Sequence, residues 1–209
     1  MRHYILSAKQ ALCLATLLPG LLLTRSAAAH HPTGSLVPTN FSDGLLSGLA
    51  HPIIGLDHLA FIVAIGVAAG ISRFGAALPV LFVVASTAGV ALHLSKFALP
   101  AVEPLVAISV ILAGALLAGP RMRSSAVWIG LLAAAGIAHG YAHGETVAGA
   151  ERPAVVAYVL GLALTQGGLM TGIAALSSRS SDARLTSRLA GAAVFVLGLV
   201  TLATGAIAG

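Results

Sequence analysis

Four of the eight histidines in this chain sit in two short stretches, each with an acidic residue close by. The first reads His51-Pro52-Ile53-Ile54-Gly55-Leu56-Asp57-His58 and the second His139-Gly140-Tyr141-Ala142-His143-Gly144-Glu145. Imidazole with carboxylate and no thiolate suits borderline divalent ions such as Ni²⁺, Co²⁺ or Zn²⁺, and suits Cu⁺ or Mg²⁺ poorly. The single cysteine, Cys13, lies near the N-terminus, away from both stretches, so disulfides and thiolate metal sites drop out. His139 and His143 are four residues apart, which puts both rings on one helical face at chelating spacing, with Glu145 as an oxygen ligand. His51 and His58 are harder to combine. Seven residues set them on one face but about 10 Å apart along an ideal helix, and Asp57 would point about 100° away from His58. Pro52 and Gly55 both weaken regular helix between them. A local break could therefore swing His51, Asp57 and His58 together, as interrupted helices do in many transporters.

Each stretch also has a plainer reading. The first could be a proline kink with polar caps near a membrane surface. The second could be two interfacial histidines and a solvated Glu145, with Tyr141 as an interface anchor. Metal ligation is expected at His51, Asp57, His58, His139, His143 and Glu145, with His30, His31, His93 and Glu103 as further candidates. His93 is equally suited to packing against a backbone carbonyl. Glu103, just before Pro104, is a helix-start acid favoured by the macrodipole that could also attract cations at an entrance.

The elements that carry these residues follow from composition. The chain has 209 residues, 58% hydrophobic and 8% charged, with mean hydropathy +1.00. Soluble domains carry about 25% charged residues, so a soluble fold of this size could not cover its surface, and the apolar mass excludes a disordered chain. Three of the eleven basic residues (Arg2, Lys9, Arg25) lie in the N-terminal segment, and no basic cluster with interleaved aromatics appears. The net charge of +5 is thus no argument for nucleic acid. Residues 1–29 read as a secretory signal: Arg2 and Lys9 before an apolar run from Ala11 to Leu23, then Ala27-Ala28-Ala29 as the cleavage site. Cleavage there leaves His30-His31 as the mature N-terminus.

Beyond it, apolar runs at about 42–70, 76–98, 104–119, 126–144, 154–176 and 189–208 predict an all-α membrane protein. The expected fold is a six-transmembrane-helix bundle after a cleaved signal peptide, with 30–209 as one domain. Continuous apolar runs are not the alternating pattern of a membrane barrel. Abundant Gly and Ala suit close helix packing in lipid, and Ser86, Thr87, Thr165 and Gln166 suit interhelical hydrogen bonds. With the N-terminus outside, Arg73, Arg121, Arg123, Arg179, Arg184 and Arg188 fall in inner loops, and Lys96 and Arg152 in outer ones. That asymmetry fits the positive-inside rule and returns the C-terminus to the outer side of a bacterial-type inner membrane. His93, Glu103, His139, His143 and Glu145 then lie in the outer half, with His51 entering from the same side. The ligand gradient faces outward, which suits capture of an external cation.

HPIIGLDH (His51–His58) and HGYAHGE (His139–Glu145) resemble the two signatures of the HupE/UreJ family of hydrogenase and urease accessory membrane proteins. LPAVEPLVAISVILAG (Leu99–Gly114) resembles the family's third helix, and the match extends over essentially the whole mature chain. The resemblance implies a Ni²⁺ permease, in some members Co²⁺, serving nickel-enzyme maturation. It carries the ligand role to His51, Asp57, His58, His139, His143 and Glu145, with Glu103 behind them. Where the family often has a further histidine in the fifth helix, this chain has Thr165 and Gln166, and His93 lies outside the motif. The expected activity is secondary transport, because the sequence shows no phosphate-binding loop through which ATP could drive it, and neither a prosthetic group nor an enzymatic reaction is expected. Two alternatives stay open: an intramembrane metal-dependent hydrolase in which Ser86 or Ser109 polarises substrate, and a non-transporting metal-storage or accessory subunit.

Overall fold

The computed structural model describes residues 37–72, 74–119 and 125–208. The expected signal segment, together with His30 and His31, lies outside the described residues. The described residues form seven helices joined by short turns and loops, with no strands among them. They are α1 (Phe41–Ile54), α2 (Leu56–Ile71), α3 (Ala77–Leu94), α4 (Val102–Ala118), α5 (Ser125–Glu145), α6 (Arg152–Ser177) and α7 (Ala183–Ala208). Four of them, α3, α5, α6 and α7, are long and apolar enough to cross a membrane. A fifth span results if α1 and α2 count as one, while α4 is apolar but shorter, at 17 residues.

The sequence leads to one long interrupted span at 42–70, and the chain instead turns by 77° between α1 and α2. Pro52 inside α1 has no N–H to give the helix ladder, and at Gly55 the backbone leaves helical geometry (φ −74°, ψ 103°). α1 nevertheless runs alongside α6 in the same direction, with Gly44 against Ala154 and Gly48 against Tyr158. α2 continues that path, with Gly66 against Ile173 and Gly70 against Ala174. α3 ends earlier than the apolar run suggests, because Ser95 closes it and Lys96 adopts a positive φ of 62°. α7 starts earlier, because Asp182 accepts from the Leu185 amide at 2.8 Å and caps it. Arg184 and Arg188, expected in a loop, therefore lie in the first turns of α7.

α2 is the central helix. Phe61, Ile62, Ala64, Ile65 and Ala68 are all essentially inaccessible, packed among Phe82, Val110, Ala113, Trp128, Leu132 and Met170. The outer faces are apolar as well: Val84, Leu164, Leu176 and Val156 are exposed. Apolar residues inside and outside are what a bundle in hydrocarbon requires. Packing between neighbours is set by small residues. A Cβ on Gly140 of α5 would run into the Ser86 carbonyl of α3, and one on Gly48 of α1 into the Tyr158 carbonyl of α6. Ser86 and Gln166 join α3 to α6 at 3.4 Å, and Thr165 donates to the Leu49 carbonyl of α1 at 3.0 Å. Thr87 departs from expectation: it bonds the Val83 carbonyl within its own helix.

Gly140→Ala and Gly48→Ala should each lower the melting temperature in detergent, by overpacking worth about 1–3 kcal/mol. Gly168→Ala, where a Cβ meets open space, should leave it unchanged or raise it slightly. Thermal unfolding followed by circular dichroism in one detergent checks all three.

Candidate metal site

The break at Gly55 sets the geometry of the site. With the chain turned there, His51 at the end of α1 and His58 in the first turn of α2 face one another, ring centroids 5.8 Å apart. The missing Cβ matters: one on Gly55 would lie 2.7 Å from the His58 ring. His143, near the end of α5, closes the group, with centroids 4.7 Å from His51 and 4.1 Å from His58. One nitrogen from each of His51, His58 and His143 lies within 4.8 Å of the others. That is a cluster into which a cation of about 2 Å bond length could draw three imidazoles with small side-chain movements. Both ring nitrogens of His143 are buried without a hydrogen-bond partner among the described residues. A buried polar group in that state needs an explanation, and an unbound ligand is one.

The other expected residues divide. His139 contributes to the same cluster but from beneath it: its Nδ1 lies 2.8 Å from His58 Nδ1 and its Nε2 2.9 Å from Ser109 Oγ on α4. Asp57 does not join the three imidazoles. Its carboxylate accepts from the His58 backbone amide at 2.8 Å and approaches the His58 ring only to 4.0 Å. Asp57, Glu103 and Glu145 instead line a cavity of about 260 Å³ beside the cluster, which His51 and His58 also border. Its wall is completed by the end of α7, including Thr201 and Thr204, and none of its lining residues is a lysine or arginine. Three carboxylates without a cation make the cavity attractive to positive charge. Glu103 is an acid in the first turn of α4 and part of the cavity wall.

His93 is apart from the cluster. Its ring packs on Tyr141 at 4.6 Å and lies close to Gly144, and its buried Nδ1 has no hydrogen-bond partner among the described residues, in contrast to the carbonyl-bonded histidine expected. Tyr141 is buried and not an interfacial anchor: its hydroxyl donates to the Phe97 carbonyl at 2.8 Å and accepts from the Leu99 amide at 3.2 Å, tying the α3–α4 connection to α5.

Several residues of the site had no sequence signal. Thr146 lies 3.1 Å from His51 Nδ1, and Tyr158 stands edge-on to the His51 ring at 6.1 Å. Phe61 and Phe82 pack on His139 at 4.6 and 5.8 Å and floor the cluster with aromatic rings. Phe61 follows His58 by three residues, so a helical reading could have placed it beneath that ring. Nothing in the spacing ties residue 51 to residue 158.

A helical, multi-pass membrane protein with a buried histidine cluster at a broken helix is the class that these features define. Comparison with known proteins gives the particular group. The sequence model of the HupE / UreJ protein family matches residues 17–201. Protein HupE of Rhizobium leguminosarum bv. viciae is 32% identical over 173 residues, covering 77% of this chain and 85% of that protein. This chain belongs to the HupE/UreJ family. No solved structure matches it.

His51→Ala, His58→Ala and His143→Ala should each lower Ni²⁺ affinity by at least tenfold, while His93→Ala should stay within twofold of the unsubstituted protein. Calorimetric titration of purified protein in detergent measures it. Loss on His93→Ala with retention on His143→Ala would assign the cation elsewhere.

Proposed function

We propose that this chain is a secondary divalent-metal permease that imports Ni²⁺, with Co²⁺ as its near alternative, across an inner membrane for the maturation of nickel enzymes. The observation that carries this reading is the convergence of His51, His58 and His143 within 4.8 Å at a break in a membrane helix, beside a cavity walled by Asp57, Glu103 and Glu145. In this reading α1 and α2 form one broken span and α4 is a short one, which with α3, α5, α6 and α7 makes six. The cavity is bounded by the break after α1, the start of α4 and the ends of α5 and α7, and it faces the outer side, as do both termini.

The ion is cargo. The carboxylates draw it into the cavity, and the three imidazoles replace part of its hydration shell. Histidine and carboxylate without thiolate suit Ni²⁺ and Co²⁺. Beyond the cluster the route inward is packed by Phe61, Phe82 and the core around α2. Release to the inner side therefore requires the helices to move, as in alternating access. The membrane potential supplies about 4.6 kcal/mol for a divalent ion at 100 mV, so no nucleotide is needed. The hydrolase alternative is less well supported: Ser109 donates to the Val106 carbonyl, Ser86 is bonded to Gln166, and neither serine lines the cavity.

Proteoliposomes carrying the protein and a trapped metal-sensing dye should take up Ni²⁺ down an inside-negative potential, and His143→Ala should remove most of that uptake. Binding without uptake would assign a storage role. Histidine ligates as neutral imidazole, so acid on the outer side should lower uptake at low Ni²⁺, and added Ni²⁺ should restore it. Acid inhibition that added Ni²⁺ does not relieve would remove proton–metal competition at the imidazoles from the mechanism.

A further inference from the structure

His139 has the chelating spacing to His143, yet both of its ring nitrogens are already engaged, Nδ1 with His58 Nδ1 and Nε2 with Ser109 Oγ. Proton positions along this chain of contacts follow from counting. Ser109 Oγ and the Val106 carbonyl oxygen are 2.7 Å apart, so a hydrogen must lie between them. A carbonyl has none to give and a serine hydroxyl has one, so Ser109 donates it. Ser109 can then only accept from His139, whose Nε2 lies 2.9 Å away and must carry the hydrogen. A neutral imidazole has a single N–H, so His139 Nδ1 is bare. His58 Nδ1, 2.8 Å from it, must therefore be protonated, which leaves the lone pair of His58 on Nε2.

We propose that Ser109 and His139 are positioning residues: a hydrogen-bond relay from α4 through α5 to α2 that locks His58 as its Nδ1–H tautomer and so keeps Nε2 bare for the cation. Histidine ligands elsewhere are oriented by a partner on the ring nitrogen that does not bind metal. Here that partner is a second histidine, itself set by a serine whose hydroxyl is anchored on its own helix. Ser109, His139 and His58 are 5%, 0% and 8% exposed, so water does not compete for these bonds. The relay also has something to oppose. Asp57 Oδ1 lies 4.0 Å from His58 Nε2, and its negative charge favours a hydrogen on that nitrogen, which would block the ligand atom. The relay holds the hydrogen at the far side of the ring. The inference rests on the three-histidine site of the proposed function only for its consequence on binding; the tautomer itself is a property of the metal-free protein.

The test is nuclear magnetic resonance of the full chain in lipid nanodiscs, labelled with ¹³C and ¹⁵N at histidine and free of metal, since ring shifts separate the two neutral tautomers. In the unsubstituted protein His58 should be Nδ1–H and His139 Nε2–H. Ser109→Ala should move His58 toward Nε2–H, and Ser109→Thr, which keeps the hydroxyl, should retain the original pattern. Ni²⁺ affinity should fall about tenfold in Ser109→Ala, the scale of lost support behind a metal ligand, and recover in Ser109→Thr. His58 as Nε2–H in the unsubstituted protein, or an unchanged His58 in Ser109→Ala, overturns the relay, and the first of these needs no variant to fold. His143→Ala is titrated in parallel. Full Ni²⁺ affinity there would overturn the three-histidine site while the tautomer result still decides the relay.

Discussion

A backbone interruption inside an apolar bundle is the constraint on which this structure turns. An unbroken helix from 42 to 70 would hold His51 and His58 about 10 Å apart along its axis, with no common ligand atom between them. Pro52 withholds a hydrogen-bond donor and Gly55 lets the chain bend by 77° without a side chain in the way of the His58 ring. Leaving backbone groups unpaired in hydrocarbon costs several kcal/mol each, so such a break persists only where protein encloses it. Here α6 lies along both halves, and a cavity bordered by Asp57, Glu103 and Glu145 adjoins the gap.

Close packing then decides what the break can reach. Glycines at 44, 48 and 161 bring α1 onto α6, and glycines at 89 and 140 bring α3 onto α5. With backbones in such contact, the end of α5 has little freedom, and His143 is held against His51 and His58 in place of hydrogen-bonding partners of its own. The rigid floor of Phe61 and Phe82 under His139 completes a site that is polar on one side and dry on the other. This asymmetry matters for electrostatics: Asp57, Glu103 and Glu145 line the cavity, and the imidazole cluster adjoins it through His51 and His58.

The histidines of the second motif have separate surroundings. Equal spacing on a helix makes His139 and His143 look interchangeable as a chelating pair. The neighbouring helices distinguish them, since α4 offers Ser109 to one and α1 and α2 offer His51 and His58 to the other.

Much was legible in the residues alone. Composition required a membrane bundle, because so few charges cannot cover a soluble surface, and the apolar runs located the helices to within several residues. The two histidine stretches marked the residues whose imidazoles come together, and Pro52 with Gly55 marked where the helix would yield. The family signatures were likewise readable as strings. Tertiary structure decided the rest. Which histidines converge depends on the bend angle and on which helix lies opposite, and neither has a local sequence code. Asp57 turned to the cavity and the adjacent His58 amide, while Tyr141 became a buried anchor of the α3–α4 connection and His93 packed on Tyr141, both through neighbours distant in sequence. Thr146 and Tyr158 beside His51, and Phe82 beneath His139, are likewise supplied across helix interfaces. Periodicity reports which face of a helix a residue occupies; only the packing of small residues between helices determines what that face meets.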